Sequence, residues 1–133
     1  MTTPWARIAI GAMCFVILDG MWLGLVMNGF YRSQLAPIAR LGEGGGFAPN
    51  WPAAFVVYLL LGGGIGAFVT PRAATLPETL LLGALFGVVV YGVYDFTNYS
   101  TLRQWPFALT LVDVAWGAFA SAVTAAVLWA TTR

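Results

Sequence analysis

The sequence predicts an all-α protein, a bundle of four transmembrane helices, and three observations support this prediction. Hydrophobic residues make up 60% of the 133 residues and charged residues only 8%, whereas soluble domains carry about 25% charged residues. The mean hydropathy is +0.84. Four apolar runs, each about 20 residues long, match the length that a helix needs to cross a bilayer. We therefore expect a multi-pass membrane protein in which residues 1–133 form a single transmembrane domain.

The first predicted helix covers about residues 5–28. Its apolar run is longer than the roughly 7–15 residues of a signal-peptide core, and Asp19 and Trp22 lie near where cleavage would be expected. The helix is therefore predicted to remain in the protein. The polar interval that follows contains Pro37, which interrupts a helix, and a glycine triplet at 44–46.

The second predicted helix covers about residues 52–70 and begins at Pro52, a residue favoured in the first helical turn. Its middle contains the glycine-rich run 62–66. Glycine is unfavourable inside a helix unless another backbone packs close to it. The run predicts either close helix packing or a locally unwound helix that lines a cavity, as in transporters.

The third and fourth predicted helices cover about residues 78–98 and 106–130. Thr75 and Glu78 fit the capped start of the third helix. Gly83 and Gly87 have the spacing of a small-residue packing face. Four helices return both chain ends to one side of the membrane. The arginines divide evenly between the two sides, so the positive-inside rule favours neither orientation.

The composition excludes several function classes. A net charge of +1 and six scattered arginines provide no basic surface for nucleic acid. The sequence has no histidine and a single cysteine, Cys14, so the usual ligands of zinc, haem and iron–sulfur groups are lacking. We expect no metal and no cofactor, and we interpret Cys14 as a small buried hydrophobic residue.

The candidate site is a set of acids, amides and aromatics within the apolar runs. A charged group at bilayer depth costs about 2.5–3.5 kcal/mol, so Asp19, Asp95 and Asp113 should face inward, pair or bind protons. The predicted topology brings all three into one half of the membrane. The candidate ligand-binding or polar cluster comprises Asp19, Trp22, Tyr91, Tyr94, Asp95, Asn98, Arg103, Asp113 and Trp116. It is either a hydrogen-bonded polar knot that fixes helix register or a pocket open to one face.

One short pattern occurs twice. Asp-x-x-Trp is found at Asp19–Trp22 in the first helix and at Asp113–Trp116 in the fourth. The i, i+3 spacing places each carboxyl group and its indole on one helix face.

Several motifs are distinctive enough to indicate a family. They are Asp19–Gly24, Phe30-Tyr31, Tyr91–Leu102, Trp105-Pro106 and Val112–Gly117. Together they resemble DUF2177, a family of small bacterial integral membrane proteins, over nearly the whole chain. The resemblance implies a multi-pass protein of the bacterial inner membrane with a short interfacial helix between the first and second helices. It also implies an association with lipid-modifying enzymes, but no mechanism.

The first functional hypothesis is a protein that binds a lipid-like or small amphiphilic ligand in a polar, aromatic-lined intramembrane pocket, as an accessory to lipid modification. The head of the ligand would lie near the three aspartates. The alternatives are a small proton-coupled transporter acting as a dimer and a structural subunit of a membrane complex. An enzyme using Asp95 or Asp113 as a general acid or base is a weaker hypothesis because the sequence offers no nucleophile or cofactor motif. The expected partners are membrane lipids, a second copy or a membrane enzyme.

Overall fold

The computed structural model describes residues 2–132, and five α-helices form the regular structure of this part of the chain. Their bounds are Pro4–Met21 (α1), Asn28–Leu35 (α2), Trp51–Gly64 (α3), Leu76–Thr101 (α4) and Phe107–Thr131 (α5). Two helices continue in altered geometry: α1 into a π-helical turn at Trp22–Val26, and α3 into a π-helical turn at Ile65–Val69 followed by a 3-10 turn at Thr70–Arg72.

Four segments are long and apolar enough to cross a membrane. They are Pro4–Val26, Trp51–Arg72, Leu76–Thr101 and Phe107–Thr131. Outward-facing apolar side chains such as Leu25 and Leu60 are 80% and 68% exposed, as expected for groups that contact lipid. The predicted all-α bundle with four spans is confirmed, and α2 is the short helix expected between the first two spans.

The first span ends differently from the prediction. The predicted helix to residue 28 divides, because Met27 leaves helical geometry at φ −118° and ψ 19°. The Asn28 side-chain amide donates to the Leu23 carbonyl at 2.9 Å, which satisfies one of the carbonyls freed at this end. A new helix, α2, then starts at Asn28 and carries Tyr31, whose hydroxyl bonds with Trp22 and Asp113 of the bundle.

The third span, Leu76–Thr101, starts slightly before and ends after the predicted range 78–98, while its predicted cap is present. Thr75 and Glu78 form the reciprocal capping arrangement at its start. At its end, the hydroxyl groups of Ser100 and Thr101 donate to the Thr97 carbonyl at 2.8 and 2.9 Å. These bonds satisfy hydroxyl groups within the helix itself, so the polar end remains helical to Thr101.

Helices α1 and α5 form the middle of the bundle. Helix α3 packs against α1, α1 packs against α5, and α4 packs along α5. The π-helical turn Ile65–Val69 contacts α1, α4 and α5 and closes one end. The buried core consists of Phe15, Leu61, Ile65, Val69, Trp116, Ala120, Ala125 and Leu128.

Glycines allow the close approach of both helix pairs. A Cβ on Gly11 of α1 would lie 2.8 Å from the Cα of Gly62 in α3. A Cβ on Gly83 of α4 would lie 2.9 Å from the Ser121 carbonyl oxygen, and one on Gly87 would overlap the backbone of Gly117. The close-packing interpretation of the glycine-rich run is correct at Gly62, and the helix also changes to π-helical geometry within the run, from Ile65 onward.

Candidate functional site

The three aspartates lie together at one end of the bundle. We call these acids and the tyrosine and tryptophan side chains around them the aspartate cluster, which comprises Asp19, Asp95, Asp113, Trp22, Tyr31, Tyr58 and Trp116. Asp19 of α1 is 8% exposed and both of its oxygens are satisfied. The indole Nε1 of Trp116 donates to Oδ1 at 2.7 Å, and the hydroxyl of Tyr58 donates to Oδ2 at 3.0 Å. Asp19 therefore joins α1 to α3 and α5.

Asp113 of α5 is held from the short helix. The Tyr31 hydroxyl donates to Asp113 Oδ1 at 2.9 Å and accepts from the Trp22 indole Nε1 at 3.0 Å. Tyr31 lies outside the four spans and is 4% exposed. Burial raises the pKa of Tyr31 well above its usual range, so its hydroxyl keeps the proton that it donates. Asp113 thus joins α5 to α2.

The two Asp-x-x-Trp motifs exchange partners across the bundle. The indoles of Trp22 and Trp116 stack in parallel, with ring centroids 4.4 Å apart and an interplanar angle of 1°. Trp116 binds the aspartate of the other motif directly, and Trp22 reaches Asp113 through the Tyr31 hydroxyl. The short Asp-x-x-Trp repeat therefore corresponds to hydrogen bonds in which the tryptophan of each motif connects to the aspartate of the other.

Asp95 of α4 is fully buried, at 0% exposure, and differs from the other two acids. Among the described residues, no N–H group and no hydroxyl group donates to either of its oxygens. Its carboxyl group interacts with the carboxyl group of Asp113. Two carboxyl groups can share a hydrogen bond only when one of them carries a proton.

Tyr91 packs beside the cluster. Its ring stacks with Phe15 at a centroid distance of 6.5 Å. The ring also lies directly against Gly117, where any Cβ would overlap it. Tyr91 therefore fills the space between α1, α4 and α5.

An open groove lies at the end of α4, and we call it the rim groove. It has a volume of about 610 Å³ and is lined by Ile38, Tyr94, Asn98, Leu102, Arg103, Gln104 and Trp105. Asn98 lies one helical turn after Tyr94 on α4, and the Trp105 ring meets the Tyr94 ring edge-on at 5.8 Å. The Trp105 indole donates to Thr110 Oγ1 at 3.1 Å. Arg103 is the charged group of this lining, and no acid is part of it.

The nine residues singled out in the sequence thus divide between two places. Asp19, Trp22, Asp95, Asp113 and Trp116 lie in the aspartate cluster with Tyr91 packed beside it, whereas Tyr94, Asn98 and Arg103 line the rim groove.

The sequence analysis missed Tyr31 and Tyr58 as donors. Tyr58 carries the one side-chain hydroxyl in the apolar helix α3, which is a signal that could have identified it. Tyr31 belongs to a motif that carried the family resemblance, but nothing local in the sequence indicates that its hydroxyl reaches α5.

Within residues 2–132, no three acidic, cysteine or histidine side chains are arranged to hold a metal ion. The donors are tyrosine hydroxyls and indole N–H groups, which hold the carboxyl groups of Asp19 and Asp113 in place.

Comparisons with known proteins agree with the fold. The family described as "Predicted membrane protein (DUF2177)" matches residues 5–130 of the chain. No curated protein matches the chain, and neither does a solved structure. With nearly its whole length matched and four candidate membrane spans, the chain is a multi-pass membrane protein of the DUF2177 family.

Proposed function

We propose that the protein binds the anionic head group of a membrane phospholipid in the rim groove. The observation that supports this is the composition of the groove, in which one arginine and two side-chain amides stand beside apolar and aromatic side chains. This combination suits a ligand with a charged head and an apolar body.

The charge of the groove favours an anion. Arg103 is exposed, and its planar guanidinium presents paired N–H groups that match a phosphate or carboxylate. The amides of Asn98 and Gln104 offer further N–H donors in the same lining. A cationic head would meet Arg103 with no acid in the lining to compensate.

The position of the groove favours a lipid over a soluble anion. It lies where α4 ends and α5 begins, at the ends of two membrane spans, which is the depth at which head groups lie. Tyr94 and Trp105 are of the residue types enriched at that depth. Ile38 and Leu102 provide apolar surface for the first part of an acyl chain.

The aspartate cluster is less suited to the head group than the sequence analysis expected. Asp95 is inaccessible, and both oxygens of Asp19 already accept hydrogen bonds. An amphiphile would have to break these bonds to bind there. A phospholipid held at the rim could be presented to a lipid-modifying enzyme, the partner class that the family resemblance implies.

Native mass spectrometry of the protein extracted from membranes in mild detergent tests the proposal. The wild type should retain an anionic phospholipid. Arg103→Gln should lose at least about tenfold in retained lipid, because hydrogen bonds to a charged group contribute about 1.5–3 kcal/mol. Arg40→Gln is the matched control, since Arg40 is exposed and does not line the groove. A wild type without lipid, or equal retention in all three proteins, contradicts the proposal.

A further inference from the structure

The Asp95–Asp113 pair joins α4 to α5 and has no part in the lipid-binding proposal. Asp95 is at 0% exposure, and its carboxyl group interacts with the carboxyl group of Asp113. In the described part of the chain, no N–H or hydroxyl donor reaches either Asp95 oxygen. A buried carboxyl group without a donor indicates that something else occupies its hydrogen-bonding position.

The groups around the pair supply no positive charge. The chain has no lysine and no histidine. The ionisable groups that interact electrostatically within this end of the bundle come from all five helices and are acids or phenols: Asp19 of α1, Tyr31 of α2, Tyr58 of α3, Tyr91 and Tyr94 of α4, and Asp113 of α5. A cation from the protein is therefore not what neutralises Asp95.

We propose that Asp95 and Asp113 form a binding site for one exchangeable proton, shared between the carboxyl groups of α4 and α5. One proton converts two mutually repelling acceptors into a donor and an acceptor, as in the paired carboxyl groups of other proteins. The site takes a proton rather than a metal ion, because the acids of the described chain are not arranged as metal ligands.

The hydrogen bonds around the pair determine which oxygen carries the proton. Asp113 Oδ1 already accepts a hydrogen bond from the Tyr31 hydroxyl at 2.9 Å. Asp95 has no such donor, so the proton resides on Asp95 and is donated to Asp113. When the proton leaves, both groups are ionised and face each other across the α4–α5 interface.

Infrared spectroscopy of the purified protein tests this directly, because a protonated carboxyl group has a C=O stretching band that shifts in D₂O whereas a lipid ester band does not. The wild type at neutral pH should show such a band. Asp95→Asn and Asp113→Asn should each lose it. Asp19→Asn is the matched control and should keep it, because both Asp19 oxygens accept hydrogen bonds from Trp116 and Tyr58 and Asp19 is not part of the pair.

Folding of the variants is followed by circular dichroism in the same samples. Asp95→Asn should remain folded, because its amide supplies the N–H donor that the proton supplies in the wild type. The absence of the shifting band from the folded wild type would overturn the proposal. The proposal would also be overturned if the band persisted in both Asp95→Asn and Asp113→Asn, or if Asp19→Asn lost the band. The result does not depend on whether a lipid occupies the rim groove.

Discussion

At the scale of single residues, two tyrosine hydroxyls determine how the membrane-embedded acids are accommodated. Tyr58 donates to Asp19, and Tyr31 donates to Asp113 while accepting from Trp22. Each hydroxyl replaces a hydrogen bond that the carboxylate would otherwise make with water. Tyr31 matters most, because its hydroxyl connects an indole and a carboxyl group that lie on different helices.

Tyr31→Phe should therefore destabilise the protein by about 1–3 kcal/mol, the cost of leaving buried polar groups without partners. The change leaves the Trp22 indole without its acceptor and removes the donor of Asp113. Unfolding in detergent, followed by circular dichroism, measures the difference. Tyr99→Phe is the control: Tyr99 is 46% exposed, so its loss of a hydroxyl should change stability by no more than about 0.5 kcal/mol. Equal effects of the two changes would contradict the role given to Tyr31.

The sequence predicts the acids of the site better than their donors. Asp19, Asp95 and Asp113 are identifiable because a charge in lipid is so costly that each must face inward, and the structure does bring them together. The direction of the Tyr31 hydroxyl depends on the break at Met27 and on the new course of α2. That direction follows from tertiary packing, which no local pattern records.

At the scale of helices, the interface of α4 and α5 depends on glycine. Gly83 and Gly87 of α4 lie against the backbone of α5 between Gly117 and Ala125. In lipid, helix association relies on such close contact, since lipid chains are as apolar as the helix surfaces. The same interface brings Asp95 to Asp113.

Gly87→Ala should destabilise the protein by about 1–3 kcal/mol, the usual cost of overpacking. The new methyl group would overlap the Gly117 backbone, and no side-chain rotation can relieve that overlap. Gly92→Ala on the same helix is the control, because a Cβ there meets nothing within 4 Å. That change should be neutral or stabilise the helix by up to about 1 kcal/mol. Unfolding in detergent compares the two variants, and a harmless Gly87→Ala would exclude the close contact.

The sequence predicts the number of spans and the glycine packing face correctly, but it predicts the positions of the helix ends less accurately. The apolar runs predict four spans because bilayer thickness imposes their length, and small residues at 83 and 87 predict a packing face. The π-helical turn at Trp22–Val26 and the extension of α4 to Thr101 were not predicted. They depend on side-chain-to-backbone hydrogen bonds, such as that of Asn28 with Leu23, which compete with regular helix geometry.

At the scale of the whole molecule, the acids link the helices into one bundle. Asp19 connects the first span to α3 and α5, and Asp113 connects α5 to α2 and, through Asp95, to α4. The groups that are most costly to place in lipid thus hold the spans together from inside.

The central claim is that Asp19 and Asp113 are held by donors from other helices, and a double-mutant cycle on Asp19 and Trp116 tests it most directly. Asp19→Leu leaves the Trp116 indole without its acceptor, and Trp116→Phe removes the matching donor. The double variant should lose about 1–3 kcal/mol less stability than the sum of the two single variants. A parallel cycle on Asp19 and Trp105, whose indole donates to Thr110, should be additive within about 0.5 kcal/mol. Additivity in the Asp19–Trp116 cycle as well would contradict the account.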